Sequence, residues 1–493
     1  MISLNRTILR TFVRKRRESM ENKLTKKYGL FTAICMVVGI VIGSGIFFKT
    51  EAVLGTTNGN VLTGVLGLLV VGIIMLICSY AFSLLAQKYE KVNGIVDYAE
   101  MALGEKFAYY VGWFMTLIYT PAITSVLAWL SARYTCVLIG KFEDPVTGPE
   151  CLVIAGLFLA GGYALNALSP ILAGKFQVSG TIIKLIPLCL MAVIGTVLGL
   201  KNGQLVGNFT GLAANAPEGM TISTGFDLGG LLMAAVALAF AYEGWIIATS
   251  INAELKDSKK NLPIALMVGG AIVVAVYVLY YLGICGAIPV GELLSSDLGS
   301  QQAFINLFGN VFGTLLTVFI IISCLCTMNG LMLGCVRGMY SFAIRGRGPK
   351  PAMFAQVDKV TNMPHNSAVV GLLVCFAWLV YFYGANLTTP WFGPFCFDSS
   401  ELPIITLYAL YIPIFLSMMK DKTQPFFKRF VVPVAASLCS LFMVGAAIYS
   451  HGIAKYQAAV AADKPFTFPA LFYLIVFAVV IAVGALFAKK KKI

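Results

Sequence analysis

The sequence predicts an all-α, polytopic membrane protein, and three observations predict it. Apolar runs of about 20 residues, long enough to cross a bilayer as helix, recur from one end of the chain to the other. Only 12% of the residues are charged and 59% are hydrophobic, whereas soluble domains carry about 25% charged residues. Lysine and arginine gather in alternate loops, as the positive-inside rule requires of a multi-pass chain. The mean hydropathy of +0.85 agrees. The net charge of +14 therefore reads as topology and not as a nucleic-acid footprint.

Twelve spans are expected, near 29–50, 61–87, 108–137, 150–169, 176–200, 227–249, 262–288, 309–343, 366–384, 397–419, 427–450 and 467–488. Lys88, Lys91, Lys106, Lys256, Lys259, Lys260, Arg345, Arg347, Lys350, Lys420, Lys422, Lys428, Arg429 and the tail Lys489 to Lys492 fall on one side. The loops 289–308 and 385–396 on the other side carry no lysine or arginine. Both termini are therefore expected in the cytoplasm. The chain divides into a basic tail over 1–26, a transport core over 27–420, and two further helices with a basic tail over 421–493. The segment before Lys23 is too polar for a signal peptide, and its Arg14-Lys15-Arg16-Arg17 cluster suits anionic lipid. A short amphipathic cytoplasmic helix is expected over 97–105, ending near Gly104, and an external helix over 291–308. Pro121 and Pro187 are expected to kink the third and fifth spans.

Two spans carry a defect. The first contains Met36 to Thr50 with Gly39, Gly43 and Gly45 inside an apolar run. Mid-helix glycine costs about 1 kcal/mol relative to alanine and leaves backbone groups open to a ligand. In hydrocarbon such backbone is tolerated only where protein covers it or it lines a cavity. Gly43-Ser44-Gly45 thus reads either as a mid-membrane break offering N–H groups or as a tight helix–helix contact. The sixth span contains Phe240-Ala241-Tyr242-Glu243-Gly244-Trp245. A mid-span carboxylate costs several kcal/mol unless paired or hydrated. One defect repeated five spans apart points to an inverted repeat of five plus five helices with a midplane site. Half-helix N-termini would there face an anionic group.

Taken together with Tyr119-Thr120-Pro121-Ala122, Lys184-Leu185-Ile186-Pro187, Glu254-Leu255-Lys256-Asp257, Asn261-Leu262-Pro263 and Met328-Asn329-Gly330 with Arg337, these motifs resemble the amino acid–polyamine–organocation superfamily. The likeness is to its L-type, light-subunit-type exchangers and their bacterial relatives, and it covers about residues 25–420. It implies a LeuT-type fold with discontinuous helices 1 and 6. It also implies sodium-independent exchange of small or medium neutral L-amino acids by alternating access, in a bacterial cell membrane. By resemblance, the N–H groups of Ser44, Gly45 and their neighbours Gly43 and Ile46 take the substrate carboxylate. The carbonyls of Ile42, Phe240 and Ala241 take the ammonium, and Tyr242 covers the substrate from outside. Lys184 would be a fixed cation tying helix 5 to the unwound carbonyls of helix 1, where sodium-coupled relatives hold Na⁺; the bland reading is a snorkelling lysine.

Other residues carry open readings. Glu243, beside Gly244, is a proton carrier, a tuner of substrate charge that would admit cationic amino acids, or a structural carboxylate. Tyr119, Thr124, Cys326 and Asn329 line the pocket or bond between helices. Arg337 forms a cytoplasmic-side ion pair or snorkels. Asp398 and Glu401 cap the outer start of helix 10. Trp129 and Trp245 are packing residues or interfacial anchors. Proton-coupled symport is an alternative to exchange. A channel would need a row of like polar groups along a pore. An enzyme is not expected, since no nucleophile–base pair, no HExxH around His365 or His451 and no CxxC pair occurs. No metal or cofactor is implied, and no accessory subunit is expected. The twelve cysteines mostly sit in apolar runs as small hydrophobes; Cys136 and Cys151 flank one external loop and are the one candidate pair.

Overall fold

Apolar sequence in a membrane must satisfy its own backbone, and helices do so within each segment. The computed structural model describes residues 29–43, 45–88, 94–140, 142, 144, 147–212, 222, 224–249, 255–295, 299–361, 363–387, 389–463 and 468–489. Ser44, Lys91, Glu254, the basic segment before residue 29 and Lys490 to Lys492 lie outside the described residues.

The first span is two helices, α1 (Leu30–Val41) and α2 (Gly45–Thr56). Next come α3 (Val61–Ala86), α4 (Ile95–Phe114), a π-helical turn at Met115–Tyr119, α5 (Thr120–Ile139) and α6 (Pro149–Leu168). α7 (Pro170–Leu190) runs through a second π-helical turn at Met191–Gly195 into α8 (Thr196–Lys201), followed by α9 (Gln204–Phe209). The sixth span is again two pieces, α10 (Leu228–Ala241) and α11 (Trp245–Ala248). α12 (Ser258–Ala287), α13 (Val290–Ser295), α14 (Gly299–Phe308), α15 (Asn310–Ala343), α16 (Pro351–Phe354), α17 (His365–Ala385) and α18 (Leu402–Met418) follow. The chain ends with α19 (Val432–Ile448), a π-helical turn at Tyr449–Ala454, α20 (Lys455–Ala461) and α21 (Pro469–Leu486).

Among the described residues, nine helical stretches are long and apolar enough to cross a membrane, and Leu30–Gly39, Leu228–Ala241 and Leu402–Met418 are shorter apolar helices. Each expected span overlaps one of these twelve. The protein is a multi-pass helical membrane protein. The packing pairs elements five spans apart: α2 lies on α10, α3 on α12, α5 on α15 and α6 on α17.

Local chemistry fixes the element ends. Asn60 caps α3 by accepting the Thr63 N–H at 2.9 Å. Pro121 is the second residue of α5, just after the π-helical turn through which the helix continues from α4. Its missing N–H would have served the carbonyl of Leu117, and Trp378 Nε1 donates to that carbonyl at 2.9 Å instead. The expected cytoplasmic helix is present and breaks at Gly104, where φ is 85°. The basic end of α15 holds it, with Arg345 Nη2 on Asp97 Oδ1 at 3.0 Å and Arg347 Nη2 on Glu105 Oε2 at 2.8 Å. The expected external helix is two pieces, α13 and α14. Cys136 and Cys151 are both free thiols.

Candidate functional site

The site is where the two breaks meet. α1 ends at Val41 and Ile42 is extended, with φ −68° and ψ 94°; α2 starts at Gly45. α10 ends at Ala241, and Gly244 at φ 101° makes the left-handed turn from which α11 restarts. A side chain there would be strained, so glycine is what lets the chain reverse and resume. A Cβ on Gly45 would lie 2.5 Å from the Ala241 Cα, so α2 begins against the last residue of α10. The hydroxyl of Tyr277 on α12 lies 3.1 Å from the Val41 carbonyl and 2.9 Å from the Ala241 carbonyl. One side chain thus reaches the end of both half-helices. Sequence reasoning missed Tyr277, because nothing in its apolar span marks it.

Lys184 reaches the same region from α7. It is fully buried, and its Nζ donates to the Gly39 carbonyl at 2.5 Å, in the last turn of α1. Tyr119, at the end of the first π-helical turn, donates its hydroxyl to Glu243 Oε1. The N–H of Gly244 also reaches that carboxylate. Ile46 is buried in the first turn of α2 beneath these groups.

Other expected residues are placed differently. Tyr242 is fully buried, donates to the Leu68 carbonyl at 2.9 Å and packs on Tyr277, with ring centroids 5.0 Å apart. Its ring is therefore turned into the bundle between α3 and α12. The aromatic that faces α2 across the break is Phe240, edge-on to Phe48 at 6.0 Å. Asn329 accepts from Asn166 Nδ2 at 2.8 Å and donates to the Ala173 carbonyl at 3.1 Å, a polar link between α6, α7 and α15. Thr124 bonds back to the Thr120 carbonyl, and Cys326 Sγ sits 3.7 Å from the Phe176 carbonyl. Trp245 packs between Phe82 and Tyr411, and Trp129 on Phe382. The Asp398 side chain accepts the N–H groups of Ser400 and Glu401 at 2.7 and 3.2 Å, a turn just ahead of α18 and not a bond to its first helical N–H groups. The Glu401 side chain is not a cap: it turns inward to Lys49, with Nζ to Oε1 2.6 Å.

A cavity of about 230 Å³ lies between α4, α5, α11 and α15 toward the basic end of the bundle. Thr116, Thr120, Ile246, Gly334, Arg337 and Arg345 are among its lining residues. At the lysine-poor end, α2 is held shut on several sides. Ser300 N–H donates to Glu51 Oε1 at 2.7 Å and Ser300 Oγ to the Phe47 carbonyl at 3.2 Å, besides the Lys49–Glu401 pair.

A family model described as amino acid permease matches residues 28–483. The chain is 28% identical to the serine/threonine exchanger SteT of Bacillus subtilis over 347 residues, 70% of this chain and 74% of that one. It is 27% identical to the human b(0,+)-type amino acid transporter 1, over 90% of this chain and 89% of the relative. It is 26% identical to the human cystine/glutamate transporter, over 87% and 81%.

Proposed function

The chain belongs to the amino acid permease family of the amino acid–polyamine–organocation superfamily, a family of transporters and not of enzymes, and on that premise we propose that it exchanges neutral amino acids across a cell membrane by alternating access. The observation that carries this reading is the meeting of two helix breaks, at Gly45 and Ala241. Free N–H groups at the start of α2 suit a carboxylate, since the helix dipole favours an anion there. Carbonyls at the end of α10 suit an ammonium, which would take over the place the Tyr277 hydroxyl holds on Ala241. A zwitterion spans the two. Pairing of elements five spans apart supports a five-plus-five, LeuT-type core of twelve spans. The positive-inside rule then puts the basic end, the cavity and both termini in the cytoplasm. The molecule is accordingly inward-facing, closed at the lysine-poor outer end. Closure at one end fits a carrier and not a continuously open pore. Counterflow in liposomes tests this: internal amino acid should accelerate uptake of labelled amino acid, and a flux indifferent to internal substrate would make the protein a channel. A panel of competing amino acids identifies the substrate.

Lys184 also bears on coupling. Its ammonium occupies the carbonyl of Gly39 beside the break, so no vacancy for a monovalent cation is needed there. Uptake in liposomes is expected to be unchanged when sodium is replaced by choline; a steep rise with sodium would contradict the role given to Lys184.

Among the described residues, Glu243 accepts from two neutral donors, the Tyr119 hydroxyl and the Gly244 N–H. A glutamine at this position keeps an oxygen to accept from Tyr119. Glu243→Gln is therefore expected to retain exchange within about threefold, whereas Glu243→Ala, which leaves the Tyr119 hydroxyl unpaired, loses about tenfold or more. Proton-gradient-driven uptake that disappears in Glu243→Gln would make this residue the proton carrier. Loss of competition by cationic amino acids in Glu243→Gln would make it a charge filter.

A further inference from the structure

We propose that a lysine-lined cavity at the basic end of the bundle is a binding site for the phosphate headgroup of an anionic phospholipid. The cavity measures about 330 Å³. Leu84 and Leu85 line it from the last turn of α3, Met101 from the cytoplasmic helix at the start of α4, and Met418 from the end of α18. Lys88, Lys420 and Lys428 complete the wall, the last from a π-helical turn at Phe427–Val431 that leads into α19. One part of the lining is thus apolar and the other carries three ammonium groups. Among the described residues, Asp421 is the one carboxylate in the lining. Its Oδ1 accepts the N–H and the hydroxyl of Thr423 at 3.0 and 2.7 Å, and its Oδ2 is paired with Lys88. Lys420 and Lys428 have no ion pair among the described residues. The neighbouring Arg429 is committed elsewhere: its Nε donates to the Met419 carbonyl at 2.9 Å, and its guanidinium lies over Phe430, 4.7 Å from the ring centroid. Three lysines against one aspartate leave the cavity a net charge of +2.

The positive-inside rule explains why lysine lies at this end. Helix dipoles also favour cations just past the ends of α3 and α18. Neither explains why three of them share one cavity with an apolar wall, since like charges gathered there repel unless an anion joins them. A phosphodiester supplies that anion. Its oxygens accept strong, charge-assisted bonds from ammonium groups, and basic pockets between helices on the cytoplasmic side suit lipid headgroups. The rim points to a phosphate carried on a lipid. Leu416, about one turn back from Lys420 along α18, is 44% exposed. Phe426 and Phe427, immediately before Lys428, are 72 and 57% exposed. Apolar groups beside ammonium groups match acyl chains beside a headgroup, and a soluble phosphate would leave them uncovered. The lipid so bound bridges α3, the cytoplasmic helix and α18.

The cavity lies away from the helix breaks, so its test needs no transport. The full chain, purified in detergent and stripped of lipid, is titrated with phosphatidylglycerol, with phosphatidylcholine of the same acyl chains, and with inorganic phosphate. Native mass spectrometry counts bound lipid, and thermal unfolding reads the stabilisation. The first phosphatidylglycerol is expected to bind about tenfold more tightly than phosphatidylcholine and to raise the unfolding temperature. The double variant Lys420→Gln, Lys428→Gln should lower phosphatidylglycerol affinity about tenfold and leave phosphatidylcholine unchanged. Lys259 and Lys260 are exposed at the start of α12, at the same end and outside the cavity. Their double variant, Lys259→Gln, Lys260→Gln, removes the same charge and should change that affinity by less than about twofold. Lys428→Gln alone, with an expected loss of about threefold, decides the matter if the double cavity variant does not fold. Equal losses in the two double variants would reduce the effect to general surface attraction and overturn the site. Unchanged affinity in whichever cavity variant folds would equally overturn it. Inorganic phosphate that stabilises the protein as phosphatidylglycerol does, and displaces it, would overturn the lipid and make the ligand a soluble anion.

Discussion

Lys184→Ala is expected to lower amino-acid uptake by about ten- to a hundredfold while the protein still inserts and purifies as the wild type does. The ammonium is fully buried and donates at 2.5 Å to the Gly39 carbonyl. A hydrogen bond involving a charged group is worth about 1.5–3 kcal/mol, and each 1.4 kcal/mol is about a factor of ten. That bond fixes the last turn of α1, two residues before the helix ends at Val41. Without it the turn above the break can unwind or shift, and the carbonyls and N–H groups that follow lose their alignment. Arginine should not rescue, because its planar fork is longer and cannot be held as a compact point charge. The measurement is labelled amino-acid uptake into liposomes, normalised to reconstituted protein. Wild-type uptake in Lys184→Ala would show that α1 keeps its shape without the ammonium and would end the role assigned here.

Gly45→Ala should be as damaging, for a steric and not an electrostatic reason. The added Cβ would sit 2.5 Å from the Ala241 Cα and 3.2 Å from its N. Both are backbone atoms, so no rotamer change relieves the clash. α2 and α10 must then separate by about 1 Å to reach ordinary contact. A displacement of that size in a positioning element can cost about a hundredfold in rate. Gly55→Ala, in the same helix, is the control: a Cβ there meets nothing within 4 Å, and alanine favours helix by about 1 kcal/mol. Binding and exchange lost in Gly45→Ala and kept in Gly55→Ala locate the effect at the contact between the breaks. Equal activity in both would mean that α2 and α10 are not held in register by this approach.

The bundle and the existence of two breaks were legible because they are written in local chemistry. Apolar runs of membrane length, lysine-rich alternate loops and glycine inside apolar helix need no tertiary contact to be recognised. α1 ends at Val41, immediately before the stretch Ile42–Ile46 that the sequence marks, and α10 ends at Ala241, inside the marked stretch Phe240–Gly244. Lys184 was legible for the same reason: a charge some 12 Å into a helix at 1.5 Å per residue must be satisfied by something. How Pro121 is accommodated was not legible, because the carbonyl that lacks its N–H is served by Trp378 from a distant helix.

The sequence by itself determined that this chain crosses a membrane many times as helix and that two of its helices come apart where charge and glycine interrupt them. Hydrophobicity, charge bias and backbone freedom act over a few residues, so a linear reading captures them. Only the tertiary structure decided which side chains face those interruptions. It turned Tyr242 away and Phe240 inward, brought Tyr277 to both loose ends, and joined Lys49 to Glu401 across 352 positions of chain. Such partners are chosen by how rigid helices stack. A one-residue difference at a helix end rotates a side chain by about 100°, and no local pattern records that angle.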